Sequence, residues 1–113
     1  MANIHTEAID RLFNTILNLE TIDDCYSYFE DLCTVKELQD MAQRLETAIM
    51  LDNGENYQTI SEEVGISTAT IGRVSKCLKY GSGGYRSAID KLKAEESSRQ
   101  MMEYWVWKRT QKF

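Results

Sequence analysis

Apolar residues in the first half of the chain recur at intervals of three and four, which is the period of an α-helix. One such stripe spans residues 4–19, a second spans 22–32 and a third spans 35–49. No segment shows the period-two alternation that is typical of a strand. The 113 residues include no proline, the residue that most often breaks a helix. The pattern therefore predicts an all-α fold in a single domain, residues 1–113.

Residues that cap helices mark where these helices begin and end. Thr21 precedes the second stripe with Asp24 three residues later, and Thr34 precedes the third with Glu37 at the same spacing. This spacing is a capping box, in which the two side chains bind backbone amides at the start of the helix. Asn53-Gly54 is typical of a helix C-terminus and ends the third helix. So long a third helix on so short a chain indicates a partner subunit, with a single-chain bundle as the alternative.

The pattern changes in the second half of the chain. Residues 57–64 have the pattern of a short helix, Gly65 interrupts it, and Ser67 can cap a second helix over residues 68–80. Glycine tolerates the positive φ that a tight turn between two crossing helices requires. Residues 57–80 are therefore predicted to form a helix-turn-helix. The apolar residues expected to pack between its helices are Ile60, Val64, Ile66, Ile71 and Val74.

Small, polar and basic side chains remain for the start and the outward side of the second helix. Small residues at a helix N-terminus allow close approach to a major groove about 12 Å wide, and basic residues further along can reach phosphates or a guanine edge. A glycine-turned helix pair that serves only as scaffold is the alternative. The predicted contacts to double-stranded DNA are Gln58, Ser67, Thr68, Ala69, Thr70, Gly72, Arg73, Lys76 and Lys79.

The charge of the chain is divided unevenly along the sequence. The formal net charge is −5, but residues 1–65 hold 3 basic and 14 acidic side chains. Residues 66–93 hold 6 basic side chains and one acidic side chain, and residues 94–113 have a net charge of +1. A basic segment on an acidic body is expected where one face binds phosphate and the rest repels it. A solvated basic helix is the alternative.

Other functional classes find little support in the residues. The cysteines, Cys25, Cys33 and Cys77, form no CxxC pair and are expected to be buried, reduced thiols, and His5 is the only histidine. This predicts no metal site, no catalytic residues and no enzymatic activity. No run reaches the ~18 apolar residues of a membrane helix, and the N-terminus lacks the pattern of a signal peptide. We therefore expect a cytoplasmic protein without a membrane partner.

The C-terminal part begins after a glycine cluster at 81–84, which ends the second helix of the pair. A further helix is predicted over 85–94, with Ala88, Ile89 and Leu92 on its inward side. Residues 97–113, here called the tail, are expected to be helical and packed against a surface. Their apolar residues are Met101, Met102, Tyr104, Trp105, Val106 and Trp107.

A series of short strings occurs in a fixed order: Leu32-Cys33-Thr34, Glu37-Leu38, Ala42-Gln43-Arg44-Leu45, Val64-Gly65, Ser67-Thr68-Ala69-Thr70-Ile71-Gly72-Arg73-Val74-Ser75 and Leu78-Lys79-Tyr80-Gly81. This series resembles the Trp repressor superfamily, in particular its YerC/YecD branch, from about Ile9 to Leu92. The resemblance implies an intertwined homodimer in which the N-terminal helices, residues 1–54, interlock. It also implies a palindromic operator, read by two recognition helices one DNA turn, or ~34 Å, apart.

The resemblance also implies where an effector would bind. In the tryptophan-binding members two arginines sandwich the indole ring, and Arg44 and Arg73 occupy their positions. Thr34 matches a threonine at the mouth of that pocket. Val74 stands where a glycine makes room for the ring, and Cys77 stands where a serine lies near the amino group. A branched side chain in that space argues against tryptophan as the corepressor and leaves a different small molecule, or none.

Two alternatives accompany these expectations. Arg44 is expected either to serve the effector or to pair with a nearby acid such as Asp40. The chain as a whole is expected to be a sequence-specific transcription regulator, a repressor by family. The alternative is a helix-turn-helix retained as a protein-interaction module without specific DNA binding.

Overall fold

The computed structural model describes residues 3–110 and places most of them in helices. The helices are α1 (Glu7–Leu17), α2 (Ile22–Leu32), α3 (Val35–Asp52), α4 (Tyr57–Val64), α5 (Thr68–Tyr80) and α6 (Gly84–Thr110). Residues 3–110 contain no strand, which agrees with the predicted all-α fold. Within the same range, no helix combines the length and the hydropathy of a membrane span. The chain forms two compact units, Met1–Met41 and Ala42–Phe113.

Helix α1 is shorter than the apolar stripe from which it was predicted. The stripe spans residues 4–19, whereas the helix begins at Glu7 and ends at Leu17. Thr6 sets the start because its backbone is extended and its Oγ1 accepts a hydrogen bond from the amide of Ile9 at 3.2 Å. A threonine side chain in this position satisfies one of the amides that the first turn leaves unpaired.

The capping residues of α2 and α3 act as predicted. The Oγ1 of Thr21 accepts from the amide of Asp24 at 3.0 Å, and Asp24 in turn accepts from the amide of Glu20 at 3.4 Å. At α3 the box is reciprocal, since the amide of Glu37 donates to Thr34 at 3.1 Å and the amide of Thr34 donates to Glu37 at 2.9 Å. The backbone and hydroxyl hydrogen bonds of Thr34 hold the pKa of the Glu37 carboxyl below its ordinary value.

The N-terminal unit leaves its apolar stripes open. A hydrogen bond of 2.6 Å between the hydroxyls of Thr15 and Tyr28 joins α1 to α2, but neither helix contains a buried residue. Leu17 remains 79% exposed and Ile22 75% exposed. Other large apolar side chains of this unit with high exposure are Ile4, Phe13, Tyr26, Leu32, Val35 and Met41. One copy of the chain therefore does not bury the surface that its sequence pattern provides.

The second unit has a core of its own, to which three helices contribute. Ala48 of α3, Val74 of α5 and Ile89 of α6 form one buried cluster. The half-buried residues around it are Ile49, Leu51, Leu78 and Tyr85. Helix α3 ends at Asp52, and Gly54 follows with a φ of +84°, as the Asn53-Gly54 pair predicts. Helix α5 is thus backed by side chains from both α3 and α6.

Helix α6 differs from its prediction in length and in packing. It is one continuous helix of 27 residues rather than a segment over 85–94 followed by a separate tail. Ile89 is buried and Leu92 half-buried, but Ala88 is exposed, so the predicted inward side is wrong at that position. The tail is helical to Thr110. Its side chains are not packed in the single chain, where Met101, Met102, Tyr104, Val106 and Trp107 are all at least half exposed. The Trp105 side chain and residues 111–113 lie outside the described structure.

The prediction of buried thiols is wrong for the single chain. Cys25 and Cys77 are exposed, Cys33 is half-buried, and all three are free. The physical reason at Cys25 is that the apolar stripe containing it is not covered by another element of the same chain. Cys77 lies on the exposed side of α5.

Candidate nucleic-acid interface

The connection between α4 and α5 consists of three residues, Gly65 to Ser67. Gly65 has the left-handed conformation, with a φ of +81° and a ψ of +36°, and its amide donates to the carbonyl of Ser61. The Ser61 Oγ donates to the carbonyl of Ile66 at 2.6 Å, which fixes the next residue of the turn. A Cβ at Gly65 would meet no atom within 4 Å. The turn therefore requires glycine for its φ and not for space.

A serine cap starts α5. The Ser67 Oγ accepts from the amide of Thr70 at 3.2 Å, and the hydroxyls of the two residues lie 3.0 Å apart. Asn56 caps α4 in the same way, since its Oδ1 accepts from the amide of Thr59 at 2.8 Å. Asn56 was missed in the sequence, although asparagine directly before a helical pattern is a recognised start signal.

Helix α5 separates into a buried face and an exposed face. Ile71, Val74 and Ser75 are buried, and Ile60 of α4 is fully buried as well. Val64 and Ile66 are half-buried, so the five apolar residues predicted for the interior are all at least partly enclosed. The residues at the start and on the other face are exposed: Ser67, Thr68, Ala69, Arg73, Lys76 and Lys79. Thr70 and Gly72 are half-buried.

Side chains outside the predicted set hold this helix pair in place. The Gln43 amide of α3 donates to the carbonyl of Val64 at 3.4 Å, so the end of α4 is tied to the body of the unit. Gln58, which was predicted to contact DNA, is exposed on α4, and its amide donates to Glu62 at 3.3 Å. A sequence carries no signal for the Gln43 contact, because its partner is a backbone carbonyl 21 residues away.

Two of the basic residues in the 66–93 segment are bound by an acidic residue from α3. The Asp52 carboxylate lies 2.7 Å from Arg86 and 2.5 Å from Lys93, and Arg86 also pairs with Asp90 at 2.9 Å. These hydrogen bonds and charges hold the pKa of Asp52 far below its ordinary value and raise that of Arg86. The excess positive charge predicted from the sequence is thus partly neutralised by the acidic half of the chain.

The remaining cations of that segment are exposed and lie on or next to α5. Within residues 3–110, no ion pair involves Arg73, Lys76, Lys79 or Lys91. Arg73 and Lys76 are on the same exposed side of α5 as the small residues at its start. The geometry thus combines a small, polar helix N-terminus with unpaired positive charge one to three turns further along.

The residues predicted for an effector pocket are distributed over both units. Thr34 lies in the N-terminal unit, where its side chain caps α3. Arg44, Arg73 and Cys77 are exposed residues of the second unit. Val74 does not line an open space, because it is 2% exposed and belongs to the core. The structure of one chain thus does not assemble these residues into a pocket.

The alternative for Arg44, a pair with Asp40, is not observed. Asp40 instead pairs with Lys36 at 3.2 Å. In the part of the chain that the structure describes, no group of three or more histidine, cysteine, aspartate or glutamate side chains could hold a metal ion.

Comparison with known proteins now decides the family. The family model described as Trp repressor protein matches residues 7–93. The chain belongs to the Trp repressor family. This confirms the resemblance drawn from the sequence, and the matched region includes α1 to α5 and the first part of α6 but excludes the tail.

Individual relatives agree with this assignment. The chain is 51% identical to the uncharacterized protein YerC of Bacillus subtilis (strain 168) over 89 residues, which cover 79% of this chain and 86% of the relative. A TrpR-like protein from Eubacterium eligens ATCC 27750 is similar in structure, with a TM-score of 0.77, 43% identity and coverage of 79% and 92% of the two chains. A protein of Staphylococcus aureus, solved as a candidate Trp repressor, gives the same TM-score and identity over 82% and 96%. The Trp repressor type of fold is therefore confirmed.

Proposed function

We propose that this protein is a homodimeric transcription regulator that binds double-stranded DNA in a sequence-specific manner and acts as a repressor. The observation that carries the proposal is the exposed face of α5, on which small residues at the helix start are followed by the free cations Arg73 and Lys76. A recognition helix of a helix-turn-helix presents its N-terminal residues to base edges in the major groove. Phosphate contacts from basic residues then fix its register on the duplex.

The N-terminus of α5 suits this docking for electrostatic reasons. The first amides of a helix have no partner within the helix, and the aligned peptide dipoles place partial positive charge there. Phosphate is therefore favoured at that end even before a basic side chain reaches it. Ser67, Thr68 and Ala69 are small enough to let the backbone approach the groove closely. The acidic remainder of the chain repels DNA and leaves this face as the one that associates.

The homodimer is proposed from the open apolar surface of the N-terminal unit. Leu17, Ile22 and Val35 are each more than 70% exposed in the single chain. Contiguous apolar surface of this kind is covered in stable proteins, because its exposure to water is unfavourable. A second copy supplies a self-complementary cover and brings two recognition helices to one duplex, about one DNA turn apart. An operator with two similar, inverted half-sites follows from this symmetry.

No tryptophan corepressor is part of the proposal. Val74 fills the core between α3, α5 and α6, so the protein holds its recognition helix in place with its own side chain. We propose that DNA binding occurs without tryptophan, and that any small-molecule effector is a different compound held through Arg44 and Arg73. The same reasoning assigns no catalytic role to the chain, since the proposed work is recognition alone.

Selection of bound sequences from a random pool of duplex DNA tests binding, specificity and symmetry together. The expected result is an enriched motif with inverted half-sites. Failure to enrich any motif, together with an affinity that does not depend on salt, would favour the alternative of a protein-interaction module.

Substitution of the proposed contacts tests the site itself. Arg73→Ala and Lys76→Ala are expected to weaken operator binding, because each removes a cation from the exposed face of α5. Loss of one phosphate contact per subunit lowers the slope of log affinity against log salt by about 0.9 per subunit, whereas loss of a base contact relaxes specificity. Lys36→Ala is the matched control, since it removes the same charge from the N-terminal unit. Unchanged operator affinity in both α5 variants would contradict the assignment.

A further inference from the structure

The tail is an apolar helix that the family fold does not require. The family match ends at residue 93, whereas α6 continues to Thr110. Met101, Met102, Val106 and Trp107 are each between 57% and 69% exposed. These residues lie at almost consecutive positions, so they project on all sides of the helix. A helix that is apolar on all sides is stable in proteins when other structure surrounds it.

The tail extends away from the core to which α6 belongs. Leu92 is the last half-buried residue of α6, and every later residue whose side chain the structure describes is exposed. A continuous helix rises about 1.5 Å per residue, so Trp107 lies about 22 Å beyond Leu92 along the axis. The tail therefore cannot return to cover the core of Ala48, Val74 and Ile89, and its cover comes from another surface.

The N-terminal unit offers an apolar groove of suitable size. The groove lies between α2 and the start of α3, has a volume of about 310 Å³ and is lined by Ile22, Cys25, Tyr26, Phe29 and Leu38. Ile22 is 75% exposed and Tyr26 59% exposed, so the groove is open in the single chain. Its volume is sufficient for a large side chain such as tryptophan or methionine.

The charges of the two surfaces are complementary. Residues 1–41 carry nine acidic and two basic side chains, whereas residues 97–110 carry Arg99, Lys108 and Arg109 against Glu103 alone. Opposite charge around two apolar surfaces steers their association and fixes its orientation. Because both surfaces belong to the same sequence, a second copy of this chain is an occupant that is always present in equal amount.

We propose that the tail of one chain docks in the groove of the N-terminal unit of a second copy. In the homodimer each tail then crosses to the other subunit and covers apolar surface that one chain leaves open. This inference rests on the proposed homodimer, but it adds a contact that lies outside the family match, and its test does not depend on DNA binding.

Tryptophan fluorescence reports on the tail directly, because both tryptophans of the chain, Trp105 and Trp107, lie in it. In the full-length dimer we expect emission at the shorter wavelengths of a buried indole, and weak quenching by acrylamide. Tyr26→Glu in the groove should shift the emission to longer wavelength and increase quenching. Ser27→Glu, which adds the same charge at the next residue, should leave both unchanged. Exposed-type emission from the parent dimer would overturn the proposal.

Crosslinking establishes which chain supplies the groove, and it does not depend on whether a groove variant folds. Cys25 is an exposed thiol in the groove lining. A chain carrying Met101→Cys and Cys25→Ser is mixed with the parent chain, allowed to exchange subunits and treated with a short bis-maleimide. The expected product is a covalent dimer in which position 101 of one chain is joined to Cys25 of the other. Its absence, or a link to Cys33 or Cys77 instead, would overturn the proposal.

Sedimentation of the same samples separates the remaining outcomes. A dimer with protected tryptophans supports the proposal, whereas protection found only in a tetramer would show that tails pair with tails and would overturn it. If the parent chain gave the predicted crosslink but selected no DNA sequence, the proposed function would fail while the docking of the tail would stand.

Discussion

Alanine substitution at Gly65 and at Gly72 applies one chemical change to two different backbones. Gly65 has a φ of +81°, whereas Gly72 lies inside α5 and has no positive φ. At neither position would the added Cβ meet an atom within 4 Å. Differences in packing are therefore small, and the backbone conformation decides the effect of the methyl group.

The expected changes in the free energy of unfolding have opposite signs. A left-handed conformation costs an L-residue roughly 1–2 kcal/mol, so Gly65→Ala should destabilise the protein by about that amount. Glycine inside a helix is less favourable than alanine by roughly 0.5–1 kcal/mol, so Gly72→Ala should stabilise it by about that amount. The two variants should differ by about 1.5–3 kcal/mol.

Denaturation followed by far-ultraviolet circular dichroism measures both changes. Protein concentration must be equal in all samples, because the stability of a dimer depends on it. A change of 1 kcal/mol corresponds to a shift in Tm of roughly 4–8 °C for a domain near this size. Equal stability of the two variants, or a loss at Gly72 as large as that at Gly65, would refute the claim that the turn depends on φ. Gly72→Ala also adds a methyl group to the DNA-facing helix, so operator affinity is a second readout.

Two further substitutions test the core and the ion pairs of the second unit. Val74→Gly should lower stability by ~2–4 kcal/mol through lost burial and helix propensity. Calorimetry should detect L-tryptophan binding to this variant, whereas micromolar binding to the parent would contradict the proposal. The pKa of Asp52 is lowered on folding, so its contribution is present at neutral pH and is lost as pH falls below its ordinary value of 3.8. Asp52→Asn should lower Tm at neutral pH and remove part of this acid-induced loss, with Asp90→Asn as the weaker control.

Much of the fold was predictable because its signals are local. Thr34 with Glu37, Ser67 and Gly65 act on backbone groups within four residues of themselves, and the residue types alone indicate the caps and the turn. Local signals also explain the error at α6. Residues 94–96 are good helix formers, so the serines that follow them did not end the helix.

Contacts between distant residues were not predictable from one sequence. Asp52 binds Arg86, 34 positions away, and Lys93, 41 positions away. No periodicity links an acid in one helix to a base in another, so the sequence suggested six cations near the DNA-binding helix where the structure leaves fewer unpaired. The same limit applies to exposure: an apolar stripe shows that a surface is to be covered but not which chain covers it.

The distribution of burial assigns different tasks to the two units. The second unit buries Val74 and Ile89 within one chain, so the placement of α5 against α3 and α6 does not need a partner. The N-terminal unit buries nothing in α1 or α2, so these helices gain most of their stability from association. A substitution on the exposed stripe, such as Leu17→Asp, should therefore weaken the dimer while leaving the α4–α5 turn intact. Because DNA affinity of a symmetric dimer combines two half-sites, such a variant should lose operator binding without altering which bases one half-site prefers.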